Sequence, residues 1–197
     1  MTGAMGARML AQDAVVRYEI DPRASKFSIK ASAAGLLSAL GHNPTIAVRD
    51  YSGEASFVPH ALDQASIRVT ARPDSFEVTD DISEKDKREI ETRMKQDVLE
   101  TDRFPEISFE SSVVSVTQMG DDTYAVNVTG TLSLHGTAHS QRIIAQVTVN
   151  GDSFRAFGEF SLRQTDYGIE LVSVAGGTLK VKDEVKCSFD IVARKQA

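Results

Sequence analysis

Residues 124–134 read YAVNVTGTLSL. The even-numbered positions of this stretch are apolar apart from Gly130, and the odd-numbered positions are small or polar. Because successive side chains of a β-strand point to opposite faces, this alternation predicts one long strand with a buried face and an exposed face. The stretch therefore indicates a protein whose strands cover an apolar interior.

The same period of two recurs along much of the chain. Residues 179–191 alternate as one long strand, and Asp183 is the only break in their apolar face. Residues 154–162 and 145–149 follow the same pattern, and the Asn150–Gly151 pair between them is typical of a hairpin turn. About eight such runs, separated by turns rich in Gly, Pro and Asp, predict an all-β antiparallel fold.

A sheet with a continuous apolar face has to bury that face. Closing about eight long strands into a barrel buries it and removes the unpaired edges. The interior of such a barrel is either filled by side chains or wide enough for one ligand. Small residues on the apolar faces favour a cavity, although they also fit a filled core in which large and small side chains interdigitate. These residues are Ala55, Gly130, Ala145, Ala156 and Gly158.

One segment breaks the two-residue period. The apolar residues Ile90, Met94 and Val98 recur every four positions among many charged ones. This spacing predicts one amphipathic helix over about residues 83–99, packed on the barrel, with Ser83 as its N-cap.

Composition narrows the classes of function. The chain has 197 residues and a formal net charge of −6, which argues against nucleic-acid binding because that needs clustered Lys and Arg. No run approaches the roughly 18 apolar residues of a membrane helix, so we expect no stable membrane insertion. The single cysteine, Cys187, lies in an alternating run and is interpreted as a small buried residue.

The domain organisation follows from the same patterns. Residues 1–13 carry no strand pattern and are interpreted as a flexible N-terminal extension, and residues 14–197 as a single domain. The absence of an apolar signal segment favours a cytoplasmic location for the sequence as written. A periplasmic or secreted location stays open if a signal was removed.

Three polar motifs are candidates for the mouth of the cavity. His42 and Asn43 either offer hydrogen bonds to a polar headgroup or form a surface turn. His135 ends the strand of residues 124–134 and is interpreted as a turn or mouth residue. Arg163 either pairs with the nearby Asp166 or, together with Tyr167, contacts an anionic headgroup.

No catalytic motif is present in the sequence. It contains no Gly-x-Ser-x-Gly, no phosphate-binding glycine loop and no His-Glu-x-x-His. We therefore expect no enzyme activity, no cofactor and no metal. Two alternatives stay open, namely a non-catalytic interaction domain with a filled core and a metal or hydrolytic enzyme that uses His42, His135 and His139.

Several motifs occur in an order that is specific when they are taken together. They are Tyr18–Pro22 with Ser25–Phe27, Leu99–Phe109, Gly130–Thr137, Asp166–Ile169 and Val181–Val185. On these motifs the sequence resembles the YceI-like family, also called the polyisoprenoid-binding or lipid-binding YceI-like domain, from about residue 18 to residue 194.

The resemblance implies an extended, lipocalin-like, eight-stranded antiparallel β-barrel with the helix packed on it. It also implies a homodimer and a long apolar ligand, such as an isoprenoid quinone, a polyprenyl phosphate or a fatty-acid derivative. Apolar strand faces would contact the ligand chain and polar groups would meet its head. The residues expected to contact it are Phe27, Ile29, Leu37, Leu40, His42, Asn43, Phe57, Ile67, Phe76, Phe109, Val128, Leu132, Leu134, His135, Phe160, Leu162, Arg163, Tyr167 and Phe189.

Overall fold

The computed structural model describes residues 15–34, 43–58, 61–171, 173–174 and 179–196. Most of this part of the chain is strand. The strands are β1 (Val16–Ile20), β2 (Lys26–Lys30), β3 (Ala33–Ala34), β4 (Thr45–Val48), β5 (Tyr51–Val58), β6 (Ala61–Ala71), β7 (Phe76–Val78), β8 (Ile107–Gln118), β9 (Thr123–Leu134), β10 (Thr137–Asn150), β11 (Ser153–Arg163), β12 (Ser173–Val174), β13 (Leu179–Val181) and β14 (Glu184–Lys195).

Eight of these strands form a closed antiparallel ring in the order β1-β5-β6-β8-β9-β10-β11-β14 and back to β1. Tyr18 of β1 pairs with Ala55 of β5 on one side and with Lys195 of β14 on the other, which closes the ring. The predicted all-β, eight-stranded barrel is therefore confirmed.

β14 has two partners along its outer edge. Its end, Ala193–Lys195, pairs with β1, whereas its earlier part, Lys186–Asp190, pairs with β2. β2 continues the sheet through β4 to β7. The barrel is therefore closed by β1 in one half, and an arm of three short strands takes the place of β1 in the other half.

A helix lies beside the last strand of this arm. The α-helix α1 (Glu84–Arg93) continues through one π-helical turn (Met94–Val98). The Ser83 hydroxyl accepts a hydrogen bond from the Asp86 backbone N–H, as expected of an N-cap. The predicted helix is confirmed, and the π-helical turn is a feature that the spacing of apolar residues does not reveal.

The prediction of one strand over residues 179–191 is wrong. The strand is interrupted at Lys182 and Asp183. As a result, β13 pairs with β3 and β12 in a small separate sheet, whereas β14 joins the barrel. Asp183 accepts hydrogen bonds from the backbone N–H and the hydroxyl of Thr165, each at 2.8 Å. The one polar residue on the apolar face therefore anchors the turn at the end of β11.

The predicted hairpin turn at Asn150 and Gly151 is confirmed. β10 and β11 are joined at Gly151 and Asp152, and Asn150 pairs with Ser153 at the end of the ladder. Gly151 has a φ of 58°, in the left-handed region that favours glycine.

Candidate functional site

The barrel encloses a cavity of about 930 Å³. Every strand of the ring contributes alternate side chains to its wall, as the two-residue period requires. The cavity excludes the alternative of a filled core. Most of the residues expected to contact a ligand lie in this wall: Phe27, Ile29, Phe57, Ile67, Phe76, Phe109, Val128, Leu132, Leu134, Phe160, Leu162 and Phe189.

Two glycines on the inner face explain why large aromatic rings leave the interior open. A Cβ atom at Gly130 would lie 2.6 Å from Cζ of Phe109, and one at Gly158 would lie 2.8 Å from Cζ of Phe189. Each ring therefore occupies the space on the wall that a side chain at the glycine would need. Of the five small residues that favoured a cavity in the sequence, these two glycines thus act by accommodating aromatic rings.

Aromatic rings form two clusters in the wall. The Tyr18 ring stacks on Phe57 at a centroid distance of 5.4 Å and lies 5.2 Å from Phe154. The Phe27 ring lies 6.0 Å from Phe189 in the second cluster. These rings give the wall broad apolar surfaces, which suit a long hydrocarbon chain.

Three polar side chains in the wall bond to the protein itself. The Ser28 hydroxyl lies 2.8 Å from the Ser188 hydroxyl. The buried Gln164 amide donates to the carbonyl oxygen of Lys182 at 2.9 Å. Tyr51 donates its hydroxyl to a backbone carbonyl at 3.4 Å. These three groups are thus engaged without a ligand, and most of the other wall residues are apolar.

Two ion pairs lie among the charged residues of the wall. Arg93 on α1 lies 3.1 Å from Glu89, measured from Nη2 to Oε1. Lys195 at the end of β14 lies 3.5 Å from Asp152 of the β10–β11 turn, measured from Nζ to Oδ1. Both of these cationic side chains already have an acidic partner.

The pKa of Cys187 shows that the interior of the barrel disfavours negative charge. It lines the cavity on β14 between Val185 and Phe189. Burial raises the pKa of its thiol to about 12, because the thiolate would lose its hydration there. The sequence-based interpretation of Cys187 as a small apolar residue agrees with this environment.

His135 does not lie in the cavity wall. It occupies the turn between β9 and β10 with a φ of 51°, and its Nδ1 lies 3.2 Å from the Tyr167 carbonyl oxygen. Its ring packs against Phe104 at a centroid distance of 4.4 Å. The structure therefore supports its interpretation as a turn residue, and gives no support to a contact with a headgroup.

Arg163 and Tyr167 also lie outside the cavity wall. Arg163 donates from Nε to Asp183 at 3.0 Å, so the expected local pair with Asp166 is wrong. Hydrogen bonds from Thr165, with a contribution from Arg163, hold the pKa of the Asp183 carboxyl below its usual value. Arg163 and the buried Tyr167 border a separate polar cleft of about 210 Å³.

The remaining candidates lie near the first gap in the described chain. Asn43 is exposed and does not belong to the cavity wall. Leu37, Leu40 and His42 lie outside the described residues.

The alternative of a metal enzyme gains no support from the described histidines. His139 is exposed, and its ring lies 5.2 Å from that of Tyr167. Across the described ranges, no group of three or more His, Cys, Asp or Glu side chains is placed to hold a metal ion.

Several wall residues were not among those expected to contact a ligand. Tyr18, Phe154 and Ile191 belong to the alternating runs and could have been included on that signal. Ile90 and Met94 form the apolar stripe of the helix, but periodicity alone does not show that a helix completes the wall of a barrel.

Comparisons with known proteins place the fold among solved structures. The sequence model of the YceI-like domain family matches residues 18–193 of this chain. BcnA of Burkholderia cenocepacia is 21% identical with a TM-score of 0.68, over 88% of this chain and 98% of that one. A polyisoprenoid binding domain from Saccharophagus degradans is 16% identical with a TM-score of 0.65, over 91% and 98%. At these identities the likeness shows the fold alone.

A third solved structure, the YCEI protein of Campylobacter jejuni, is 13% identical with a TM-score of 0.59, over 80% of this chain and 88% of that one. A comparison with curated proteins gives no significant match. In the parts of the chain that the structure describes, no helix has the length and apolar character needed to cross a membrane.

Proposed function

The chain belongs to the YceI-like domain family, and from this membership we propose that it binds one long apolar molecule inside the barrel. The proposed ligand classes are isoprenoid quinones, polyprenyl phosphates and fatty-acid derivatives. The proposed role is sequestration, transport or storage of the ligand rather than its chemical conversion.

The observation that carries the proposal is the open apolar cavity. Its volume of about 930 Å³ lies near the upper end of the roughly 300–1,000 Å³ that small-molecule sites occupy. Each methylene group that leaves water contributes about 0.8 kcal/mol. A chain of roughly twenty buried methylenes therefore supplies about 16 kcal/mol, which leaves about the 8 kcal/mol of micromolar affinity after association costs of about 8 kcal/mol. The polyisoprenoid binding domain among the solved structures supports the same class of ligand.

The experiment is native mass spectrometry of the purified protein, followed by organic extraction and mass analysis of the released material. We expect an isoprenoid or acyl compound bound at near one-to-one stoichiometry, or uptake of an added quinone by the emptied protein. A protein that carries nothing and takes up neither quinones nor fatty acids would contradict the proposal.

Two substitutions on β10 provide a matched pair for this experiment. Val147 lines the cavity, whereas its neighbour Gln146 is exposed on the outer face. Val147→Phe adds volume to the lumen and should weaken uptake at least tenfold, while Gln146→Phe should leave uptake unchanged. Equal uptake by the two folded variants would show that the ligand binds elsewhere.

We also propose that the protein is a homodimer, as its family resemblance implies. Ile144 and Phe157 are exposed apolar side chains on the neighbouring strands β10 and β11. Their registers place them diagonally across the pair, close enough to form one apolar patch. Light scattering coupled to size-exclusion chromatography should give twice the chain mass for the native protein and a lower mass for Ile144→Ser/Phe157→Ser. A native monomer at micromolar concentration would contradict the dimer.

A further inference from the structure

Strand β10 has an open edge over part of its length. It pairs with β9 over Thr137–Thr148, but its ladder with β11 covers only Ile144–Asn150. In the part of the chain that the structure describes, no other strand pairs with the edge of β10 over Ala138–Arg142. β10 and β11 therefore separate towards the end of the barrel that carries the β9–β10 turn.

The hairpin between β10 and β11 shows which backbone groups face this gap. Asn150 and Ser153 flank its two-residue turn, so they form the first hydrogen-bonded pair of the ladder. Because such pairs alternate along antiparallel strands, the backbone N–H and C=O groups of Ala138 and Ser140 point away from β9 and into the gap. On β11, the same alternation directs the backbone groups of Ser161 into the gap. Both sides thus present backbone groups that a further strand can use.

A cleft of about 210 Å³, separate from the apolar cavity, lies in this gap. Its lining comes from β10, β11, the start of β14 and the 3₁₀ turn Gln164–Tyr167. Within it, the Gln141 side-chain amide donates to the Arg142 carbonyl oxygen at 2.9 Å. The described residues supply no such partner to the backbone groups of Ala138 and Ser140 that face the gap. An open strand edge of this kind is a template for pairing with another chain.

The charge of the cleft favours a basic partner. Asp166 and Glu184 line it, and both are exposed. Arg163 is the only Lys or Arg of the lining, and it donates to Asp183 at 3.0 Å, so its charge already has an acidic partner. Burial raises the pKa of the Tyr167 hydroxyl, and the negative charge of Asp166 adds to this effect. The cleft is therefore complementary to a positively charged side chain.

We propose that this cleft is a docking site for an extended, basic peptide segment of a partner protein. The segment adds a strand along Ala138–Arg142, a mode of recognition in which backbone hydrogen bonds give affinity and side chains give specificity. A Lys or Arg of the segment pairs with Asp166 or Glu184. The site is separate from the apolar cavity, so its failure would leave the proposed function intact.

The test uses synthetic peptides in which charge and backbone vary separately. The probe is a capped peptide of about eight residues, the length of a strand, in which Lys alternates with Thr and Val. One control peptide carries Glu in place of each Lys. The other carries Pro in place of the central Thr and Val, which keeps the charge but prevents strand pairing. Binding to the full chain is measured by fluorescence anisotropy at about pH 8, where histidine side chains are neutral.

We expect the Lys peptide to bind at least tenfold tighter than either control and to slow hydrogen exchange of the Ala138 and Ser140 amides. No binding of the Lys peptide, or binding without slower exchange of these amides, would overturn the proposal. Equally tight binding of the Pro peptide would show attraction by charge alone and overturn it as well. Protection of these amides that rises with protein concentration in the absence of peptide would assign the edge to a second copy of the chain instead.

Variants of the protein test the two parts of the site. Ser140→Pro removes an N–H that faces the gap, and the ladder with β9 keeps its bonds because this N–H points away from β9. We expect it to abolish binding of the Lys peptide, and unchanged binding to a folded variant would overturn the proposal.

The acidic part of the site is tested by a matched pair of double variants. Asp166→Asn/Glu184→Gln removes two charges from the cleft, whereas Glu106→Gln/Asp121→Asn removes two charges from exposed residues outside it. We expect the first variant to weaken binding of the Lys peptide severalfold and the second to leave it unchanged. Equal weakening in both would assign the attraction to net charge and overturn the proposal.

Discussion

The cavity has two kinds of wall. In the strand wall, formed by β8 to β11 and β14, neighbouring strands pair over long ladders, and β9 pairs with β10 from Thr123 to Leu134. In the helix wall, formed by residues 84–98 against β7, few polar contacts join the elements. The Val78 backbone N–H donates to Glu91 at 2.9 Å, and Lys87 pairs with Glu77 at 3.1 Å.

From this difference we infer that the strand wall sets the shape of the cavity and that the helix wall admits a ligand. Long ladders spread stability over many backbone hydrogen bonds, so we expect the strand wall to open only with global unfolding. The helix wall depends on a few side chains, and we expect it to open locally at lower free energy.

The largest effect is expected for Gly158→Val in the strand wall. A Cβ atom at this position would lie 2.8 Å from Cζ of Phe189 and would also meet the carbonyl oxygen of Ile144. We expect the free energy of unfolding to fall by about 3 kcal/mol, as for severe overpacking. Urea denaturation measures the change, with Gly120→Ala as the control because Gly120 has nothing closer than 4.0 Å. A loss below about 1 kcal/mol would show that the strand wall adapts easily.

A smaller loss is expected for Met94→Ala in the helix wall. Met94 is buried in the apolar cluster that contains Val78 and Phe76, where the π-helical turn begins. Truncation should cost about 2 kcal/mol in global stability, the lower end for a buried Met because the cavity lies beside it. The exposed Gln96→Ala on the same turn should be neutral in the same denaturation experiment.

Glu91→Ala should act locally. The substitution leaves the Val78 backbone N–H without its carboxylate partner at the edge of β7. We expect about 1.5 kcal/mol less protection of the Val78 amide in hydrogen exchange, since hydrogen bonds to charged groups are worth roughly this much. Amides of β9 and β10 should keep their protection, and Thr92→Ala should change neither. Equal loss of amide protection in both walls would mean that the two walls open as one unit.

The smallest expected effect concerns the reactivity of the Cys187 thiol rather than the stability of the fold. Because burial raises the pKa of the Cys187 thiol to about 12, the reactive thiolate stays scarce up to high pH. The rate of alkylation by iodoacetamide should keep rising with pH beyond about 9, where an exposed cysteine has levelled off. A plateau near pH 9 in the folded protein would show that the thiol is solvated.

The strand wall was the more predictable part from sequence. The alternation over residues 124–134 identified the inward face, because period and burial are coupled locally in a strand. The partner switch of β14 and the pairing of Arg163 with Asp183 depend on residues far apart in the chain, so no local pattern encodes them. The helix was predicted from its stripe of apolar side chains. That it forms part of the cavity wall depends on its position beside the short strand β7, which the periodicity of the helix does not show.

The candidate site was predicted in the same uneven way. Apolar contacts such as Leu132 and Phe160 follow from alternation, whereas the mouth residues were selected by chemical type alone. His135 was therefore interpreted only as a turn or mouth residue, and the carbonyl of Tyr167 and the ring of Phe104 hold it in a turn.

The most direct test of ligand binding inside the barrel uses Cys187, the single cysteine of the chain, which lines the cavity. Its alkylation rate is measured by mass spectrometry in the emptied protein, with and without a saturating isoprenoid quinone. We expect the quinone to slow alkylation at least tenfold, and Val147→Phe to abolish this protection. An unchanged rate in protein that demonstrably holds the quinone would place the ligand outside the cavity and contradict binding inside the barrel.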